Sequence, residues 1–220
     1  MPPAQRLSVA DPDLLASLPT PLRALAAQGT VRHYRKNTTL IEEGDRGDTL
    51  FVVLHGSLRI YCADPGGREI TLAIYGPGEY VGEMSLDGTA RSASVATEEA
   101  SVCAVVTGHT LRQHLAVNPE FTLELIQRLI RRARLATESA RSLGLLDAYG
   151  RLVRLFDTLA VAGADGRRSI AQRLTHKDIA QRIGCSRELV SRLLKDLQQG
   201  GYIAVEAQRY MLLRKLPAKW

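Results

Sequence analysis

The chain has 220 residues, of which 45% are hydrophobic and 24% are charged, and its net charge is +6. This length suits one large or two modest domains of a folded protein. Cys62, Cys103 and Cys185 are far apart and odd in number, which argues against a disulfide framework. The first 15 residues lack the apolar core of a signal peptide, and no stretch is apolar enough to span a membrane. We therefore expect a cytoplasmic protein with no membrane partner.

The positive charge is concentrated in the last third of the chain. Residues 1–146 hold 15 Lys and Arg against 16 Asp and Glu, whereas residues 147–220 hold 14 against 7. A basic segment beside a neutral one indicates a polyanion-binding module joined to something else. A solvated basic face is the alternative, since such surfaces are common.

Residues 1–118 have the pattern of an all-β domain with a helical cap. Residues 11–28 predict short helical pieces broken by Pro19 and Pro21. From Thr30 to about Val106, short β-rich runs alternate with glycines, which is typical of an antiparallel barrel or roll. Residues 63–68, ADPGGR, predict a hairpin turn inside it. A short helix is expected at residues 109–116.

Residues 119–146 predict one long helix and a hinge, because no proline or glycine interrupts the run before Gly144. Apolar or small residues recur at the 3.5-residue spacing of a two-stranded coiled coil, which predicts a dimer seam. The seam consists of Leu123, Ile126, Ile130, Ala133, Thr137 and Ala140. A second stripe could pack against the same subunit, at Phe121, Leu125, Leu129 and Leu135. From periodicity alone, a core helix of a monomer is an equal interpretation.

Residues 147–220 predict a winged helix-turn-helix. An amphipathic helix over residues 145–162 comes first, and a short strand is expected at residues 170–174. Helices are then predicted at residues 176–183 and after Ser186, with Gly184 between them. Two short strands after Gly200 form the wing.

Most of the predicted DNA contacts lie at the start of the second of these helices or on it. Arginine can donate two hydrogen bonds to guanine, and glutamate can accept from the amino group of cytosine. The alternative for an Arg–Glu pair is a surface salt bridge, which is worth little. The predicted DNA-binding residues are Thr175, Ser186, Arg187, Glu188, Ser191, Arg192 and Lys195. Wing residues Arg209, Arg214 and Lys215 are expected to contact phosphates or solvent.

Residues 80–95, YVGEMSLDGTARSASV, predict an anion site in the β domain. A glycine followed by a short helical turn exposes backbone N–H groups to a phosphate. Arg91 can supply the countercharge, Ser92 a hydroxyl, and Glu83 an acceptor for a ribose hydroxyl. The alternative is a Glu83–Arg91 salt bridge in a roll that binds nothing and serves only as a dimer scaffold.

The pattern G-E-x-S-L, a turn, and R-S-A resembles the phosphate-binding cassette of cyclic-nucleotide-binding domains. With the helix-turn-helix, residues 10–216 resemble the cAMP receptor protein/FNR superfamily of bacterial transcription regulators. The resemblance implies a two-domain α+β fold, with an antiparallel β-roll of the double-stranded β-helix type, a long dimerisation helix and a winged helix-turn-helix. It also implies a homodimer that binds double-stranded DNA at a two-fold symmetric operator and contacts RNA polymerase. Arg187, Glu188 and Arg192 match the family's base-reading residues, which implies TGTGA-like half-sites.

The resemblance further implies where an effector binds. The cassette residues are Gly82, Glu83, Arg91 and Ser92, flanked by Met84, Ser85 and Ala93. The positions on the long helix that meet the adenine are Ala136 and Thr137. Thr137 keeps the family's hydroxyl, whereas Ala136 departs from it. The expected effector is cAMP, with cGMP or a cyclic dinucleotide as alternatives, and Ala136 leaves the base preference open.

Other sensor and enzyme classes fit the sequence less well. Three scattered cysteines cannot supply the four ligands of an iron–sulfur cluster. A haem sensor stays open, because histidines are present at positions 33, 55, 109 and 114. The absence of a His-x-His pair argues against a metal-binding cupin enzyme, so we expect no enzyme activity and no metal. Surface loops at residues 162–168 and around Arg32 are where the family would touch RNA polymerase.

Overall fold

The computed structural model describes residues 12–163 and 168–217. Two short helices, α1 (Pro12–Ala16) and α2 (Thr20–Ala26), precede an antiparallel β-roll. The predicted helix break at Pro21 is wrong, because Pro21 lies in the first turn of α2, where its missing N–H costs nothing. The strands of the roll are β1 (Thr30–Tyr34), β2 (Thr39–Ile41), β3 (Leu50–His55), β4 (Leu58–Ala63), β5 (Glu69–Tyr75), β6 (Tyr80–Val81), β7 (Ser94–Thr97) and β8 (Ser101–Val106).

The roll consists of two facing sheets. One has the order β1-β8-β3-β6 and the other β2-β7-β4-β5, and the turn predicted at residues 63–68 joins β4 to β5. β3 is buried on both faces, and successive side chains of a strand point to opposite faces. Phe51 and Val53 face the core between the sheets. Val52 and Leu54 belong to a second core that includes the flanking helices.

Two further helices follow the roll, α3 (Gly108–Val117) and α4 (Pro119–Leu145). Phe121 and Leu125 of α4 are buried in the core with the flanking helices, as the second apolar stripe predicts. Leu129 and Leu135 are 38% and 60% exposed. The packing prediction is therefore wrong for these two leucines, because the described part of the subunit buries α4 over its first two turns.

The C-terminal part is a small α/β core built around three helices. Its helices are α5 (Ala148–Leu159), α6 (His176–Ile183) and α7 (Arg187–Gln199), and its strands are β9 (Ala160–Ala162), β10 (Arg168–Ile170), β11 (Ile203–Glu206) and β12 (Arg209–Leu212). The sheet order is β11-β12-β10-β9. Leu152, Phe156, Ile179, Leu194 and Leu197 are buried in one cluster.

The predicted two-domain α+β class is confirmed, and two element boundaries are corrected. The helix predicted over residues 145–162 ends at Leu159, because residues 160–162 form β9 and pair with β10. The strand predicted at residues 170–174 lies at residues 168–170. Residues 1–11 and 164–167, which hold the start of the chain and most of one predicted polymerase-contacting loop, lie outside the described residues. Among the described residues, no helix is both long enough and apolar enough to cross a membrane.

Candidate ligand-binding and DNA-binding sites

The cassette forms a short 3-10 helix, Glu83–Asp87, that is entered and left through glycines. Gly82 and Gly88 have φ of 101° and 81°, in the region that glycine adopts most readily. A Cβ at Gly82 would overlap the Thr49 carbonyl oxygen and would lie 2.9 Å from Arg91 Nη1. The first N–H groups of a helix have no intrahelical acceptor. The start of this turn therefore presents backbone donors beside an arginine.

Arg91 is buried in the roll next to the cassette, with 8% of its surface exposed. Nη1 donates to the Gly82 carbonyl and Nη2 to the Thr49 carbonyl, both at 2.9 Å. Burial lowers the pKa of Arg91, and the nearby carboxylates of Asp48 and Glu83 oppose that shift. A guanidinium has five N–H donors. Within the described residues the others meet no acceptor, so Arg91 retains donors for an anion.

The remaining cassette residues divide into buried and exposed groups. Glu83 and Ser85 are 5% and 4% exposed. Met84 and Ser92 are exposed, and Ser92 Oγ lies 3.4 Å from Met84 Sδ. Ala93 is half-buried. The segment thus combines a buried carboxyl group with an exposed hydroxyl.

A pocket of about 260 Å³ opens beside Arg91. It is lined by β2, by residues in the loop 42–49, and by Phe51. In the sequence, this loop shows only the glycines that alternate with the β-rich runs, and it was not predicted as part of a site. Its proximity to Arg91 follows from pairing that no local pattern reveals, because Gly44 N–H donates to the Arg91 carbonyl and Arg91 N–H to the Asp45 carbonyl, both at 2.9 Å.

Replacing Gly82 by alanine should destabilise the roll more than the same change at Gly88. Both positions have positive φ, which costs an L-residue about 1–2 kcal/mol. Only Gly82 also meets crowding, whereas a Cβ at Gly88 has nothing within 4 Å. We expect Gly82→Ala to lower the free energy of unfolding in urea by at least about 1 kcal/mol more than Gly88→Ala. Equal losses for the two variants would contradict the assignment of crowding at Gly82.

All six predicted seam residues of α4 are exposed in the described subunit. Leu123, Ile126 and Ile130 are 56%, 47% and 49% exposed. Thr137 Oγ1 donates to the Ala133 carbonyl of its own helix at 3.0 Å, which leaves the oxygen free to accept. Ala136 and Ala140 are exposed as well. Large apolar side chains at coiled-coil spacing are therefore open to a partner helix.

The two helices of the helix-turn-helix begin with side-chain caps. Thr175 Oγ1 accepts from the Asp178 N–H at 3.2 Å, and the Asp178 carboxylate accepts from the Thr175 N–H at 2.7 Å. Ser186 Oγ accepts from the Leu189 N–H at 3.2 Å. Between the helices, Gly184 has φ of 64°. Thr175 and Ser186 are thus helix caps that also lie exposed at the helix starts.

The outer face of α7 carries most of the predicted DNA contacts. Ser191 is half-buried, and its Oγ lies 2.7 Å from His176 Nδ1, which ties α7 to the start of α6. This role of His176 was not predicted from the sequence. The only signal for it is that His176 directly follows the helix cap Thr175. The exposed predicted contacts on α7 are Arg187, Glu188, Arg192 and Lys195.

A basic groove of about 420 Å³ lies between the starts of α6 and α7 and the wing. Arg173, His176, Lys177 and Arg187 line it, together with apolar and amide side chains of the wing. Helix N-termini and cationic side chains both favour phosphate. Arg173 and Lys177 were not among the residues predicted from the sequence to bind DNA, although they lie two residues before and after Thr175.

The described residues, 12–163 and 168–217, were predicted to bind no metal. No group of three or more His, Cys, Asp or Glu side chains there is arranged to hold a metal ion. The three cysteines are free thiols, and burial raises the pKa of Cys103 to about 12. Cys103 is therefore protonated at neutral pH and packs as a small apolar residue.

Two family models match the chain. Residues 31–118 match the cyclic nucleotide-binding domain, and residues 150–218 match the Crp-like helix-turn-helix domain. The cAMP-activated global transcriptional regulator CRP of Salmonella typhimurium is 30% identical over 185 residues, covering 81% of this chain and 87% of that protein. A CRP-like cAMP-activated global transcriptional regulator of Mycobacterium tuberculosis is 31% identical over 198 residues, covering 88% of each.

A solved structure extends the similarity. The c-di-GMP responsive global regulator CLP of Xanthomonas campestris superposes with a TM-score of 0.79 at 26% identity, covering 88% of this chain and 98% of that one. These similar proteins are transcriptional regulators, which confirms the prediction that the chain is not an enzyme.

Proposed function

Since this chain belongs to the cAMP receptor protein/Fnr family of transcription regulators, we propose that it is a homodimer whose DNA binding is controlled by a cyclic nucleotide, with cAMP as the first candidate. The coarser function is that of a ligand-responsive, DNA-binding regulator. The observation that carries the finer proposal is the cassette. Gly82 has no room for a side chain, and buried Arg91 retains donors beside the start of a helical turn.

The cassette residues fit a singly charged cyclic phosphate. Arg91, Ser92 and the backbone N–H groups after Gly82 would hold the phosphate through charge-assisted hydrogen bonds. Glu83 would accept from a ribose hydroxyl, and its 5% exposure places the carboxyl in a low-dielectric setting where such a bond is strong. Met84, Ser85 and Ala93 complete the walls.

The base end of the ligand is where a second candidate has support. Thr137 offers one hydroxyl, and Ala136 offers none. A site that lacks one hydrogen-bonding group loses discrimination between bases. The similarity to a c-di-GMP responsive regulator makes a cyclic dinucleotide the second candidate, ahead of cGMP.

The long helix is the proposed dimerisation element. Leu123, Ile126 and Ile130 present a continuous apolar seam with Ala133, Thr137 and Ala140 after it. In the dimer, one Thr137 from each subunit would lie at the seam. Ligand at that seam would favour one helix arrangement and so set the separation of the recognition helices.

The proposed DNA target is a two-fold symmetric operator with TGTGA-like half-sites. Arg187, Glu188 and Arg192 project from the exposed face of α7 for base reading. Half-sites of a dimeric helix-turn-helix protein are spaced by about 34 Å, one DNA turn. Arg173 and Lys177, at the start of α6, would contact phosphates.

We place the functional boundaries at residues 1–118 for ligand binding, 119–146 for dimerisation and hinge, and 147–220 for DNA binding. RNA polymerase is a proposed partner by family membership, and the cytoplasm is the proposed location. These assignments rest on the family and on the DNA-binding domain.

Calorimetry with cAMP, cGMP and c-di-GMP tests the ligand assignment. We expect the wild type to bind cAMP, and we expect Arg91→Leu to weaken that affinity by roughly 10- to 100-fold, because a charge-assisted hydrogen bond contributes about 1.5–3 kcal/mol. Arg68→Leu is the matched control, since it removes the same charge from an arginine whose side chain is 70% exposed on the hairpin. Arg91→Lys, which keeps the charge, serves if the leucine variant fails to fold.

Each outcome of the titration separates one reading from another. If c-di-GMP gave binding heat and the other two nucleotides gave none, the effector would be c-di-GMP and not cAMP. Absence of heat and of any melting shift with all three nucleotides would favour a roll that is only a scaffold. Repeating the titration with DNA present adds a thermodynamic check, because DNA must tighten ligand binding by the factor by which ligand tightens DNA binding.

A further inference from the structure

Arg128, in the long helix, contacts two carboxylates and an aromatic ring. Its side chain is 11% exposed, and Nη1 lies 2.9 Å from Glu79 Oε2 as an ion pair that lacks the alignment of a hydrogen bond. Nη2 and Nε donate to Glu124 Oε1 at 2.8 and 3.1 Å. The guanidinium carbon also lies 4.8 Å from the centroid of the Tyr80 ring, within cation–π range. One arginine therefore joins α4 to two consecutive residues of the roll.

Those two residues lead directly into the cassette. Glu79 is fixed to β3, because its carbonyl accepts from the Val53 N–H at 2.9 Å. Tyr80 is fully buried and pairs with Val52. Strand β6 is only two residues long, and the residue after it is Gly82, at the start of the 3-10 helix.

A displacement of the cassette can therefore reach Arg128 directly, through Tyr80 and Glu79. Packed and paired backbone transmits displacement, since protein interiors have low compressibility. The charge on Arg128 is balanced by two carboxylates in a partly buried setting, where ion pairs are screened much less than at the surface. The contact thus links α4 to the strand that leads into the cassette.

We propose that Arg128 is a positioning residue that transmits nucleotide binding from the cassette to the dimerisation helix. This rests on the proposed function, since it assumes that a nucleotide in the roll controls DNA binding. Arg128 touches the strand that carries the cassette and contributes to the ligand response without belonging to the predicted ligand set.

The test compares DNA affinity with and without saturating cAMP, using fluorescence anisotropy on a duplex with two TGTGA half-sites. Couplings between sites in proteins are typically about 5- to 150-fold. We expect saturating cAMP to raise the DNA affinity of the wild type by a factor in that range. Arg128→Met keeps the apolar stem and removes the charge. For this variant, we expect the ratio of DNA affinity with cAMP to DNA affinity without cAMP to fall to about 1. Its cAMP affinity, measured by calorimetry, should change by less than about 3-fold.

Matched variants separate this role from general damage. Arg131→Met removes an exposed arginine from the same helix and should keep the wild-type ratio. Glu79→Gln should lower the ratio, and its effect should not add to that of Arg128→Met, because both changes break one contact. If the methionine variant does not fold, Glu79→Gln and Arg128→Lys carry the test.

An arm without nucleotide separates this proposal from the proposed function. Hydrogen exchange of the ligand-free protein should show amides 79–84 exchanging at least about 10-fold faster in Arg128→Met than in Arg131→Met. A wild type that ignores cAMP would contradict the proposed function and the coupling role, while the exchange data would still decide whether Arg128 fixes the cassette strand. An Arg128→Met protein with wild-type coupling, or with unchanged exchange at residues 79–84, would overturn the inference.

Discussion

An Ile126→Glu/Ile130→Glu double variant should be a monomer that binds operator DNA roughly 10²- to 10⁴-fold more weakly than the wild type, the range by which linking two binding modules raises affinity. Both side chains are about half exposed, at 47% and 49%, and they lie one seam step apart. In a parallel pair of helices, glutamates here would face their own copies in an apolar setting. Ultracentrifugation measures the assembly state, and anisotropy with a palindromic duplex measures the loss.

The chain provides a control for adding charge to an exposed apolar site on the same helix. Leu135 is 60% exposed but lies two residues after Ala133, away from the seam. Leu135→Glu should therefore remain a dimer with near wild-type DNA affinity. A double variant that stayed dimeric, or a wild type that was monomeric at micromolar concentration, would show that α4 is not the interface.

Where element boundaries depend on local chemistry, the sequence predicts them well. The helix at residues 176–183 was predicted to the residue, because Thr175 is an N-cap and Gly184 adopts φ of 64° at the other end. These signals act within one helical turn. Ser186 marks the start of α7 in the same way.

Errors occur where pairing between distant segments decides the structure. Residues 160–162 fit a continued amphipathic helix, yet they form β9 because Val161 pairs with Ser169. Likewise, Leu129 and Leu135 share a stripe with Phe121, but packing reaches only the first turns of α4. Periodicity identifies a face of a helix, and only the tertiary structure determines whether that face is covered.

The candidate sites show the same division. Gly82 and Arg91 could be selected from spacing, since the cassette is contiguous in sequence. The bonds of Arg91 to the Thr49 and Gly82 carbonyls could not, because Thr49 lies 42 positions away. The contact between Ser191 and His176 also joins residues on different helices. Ser191, which was predicted to contact DNA, therefore also helps to hold α7 against the start of α6.

The second large effect is expected at Arg187, the first residue of α7. It is exposed and lies at the helix start that enters a major groove in helix-turn-helix proteins. A bidentate contact to guanine discriminates by about 1–3 kcal/mol. Because the operator is symmetric and the two contacts are far apart, their losses should add to about 2–6 kcal/mol in a dimer carrying Arg187→Ala. Competition binding against duplexes altered at each base pair measures the loss and its position.

The informative part of that experiment is the pattern of losses, because any arginine near DNA contributes some affinity through phosphates. Arg214→Ala is the comparison, since Arg214 is an exposed arginine after the wing. Its loss should weaken all sequences alike and reduce the slope of log affinity against log salt by about 2 in the dimer, about 1 for each lost phosphate contact. Arg187→Ala should instead abolish preference at one base pair per half-site. If Arg187→Ala weakened specific and non-specific duplexes equally, then Arg187 would contact the phosphate backbone, and base reading by α7 would have to come from Glu188 and Arg192 alone.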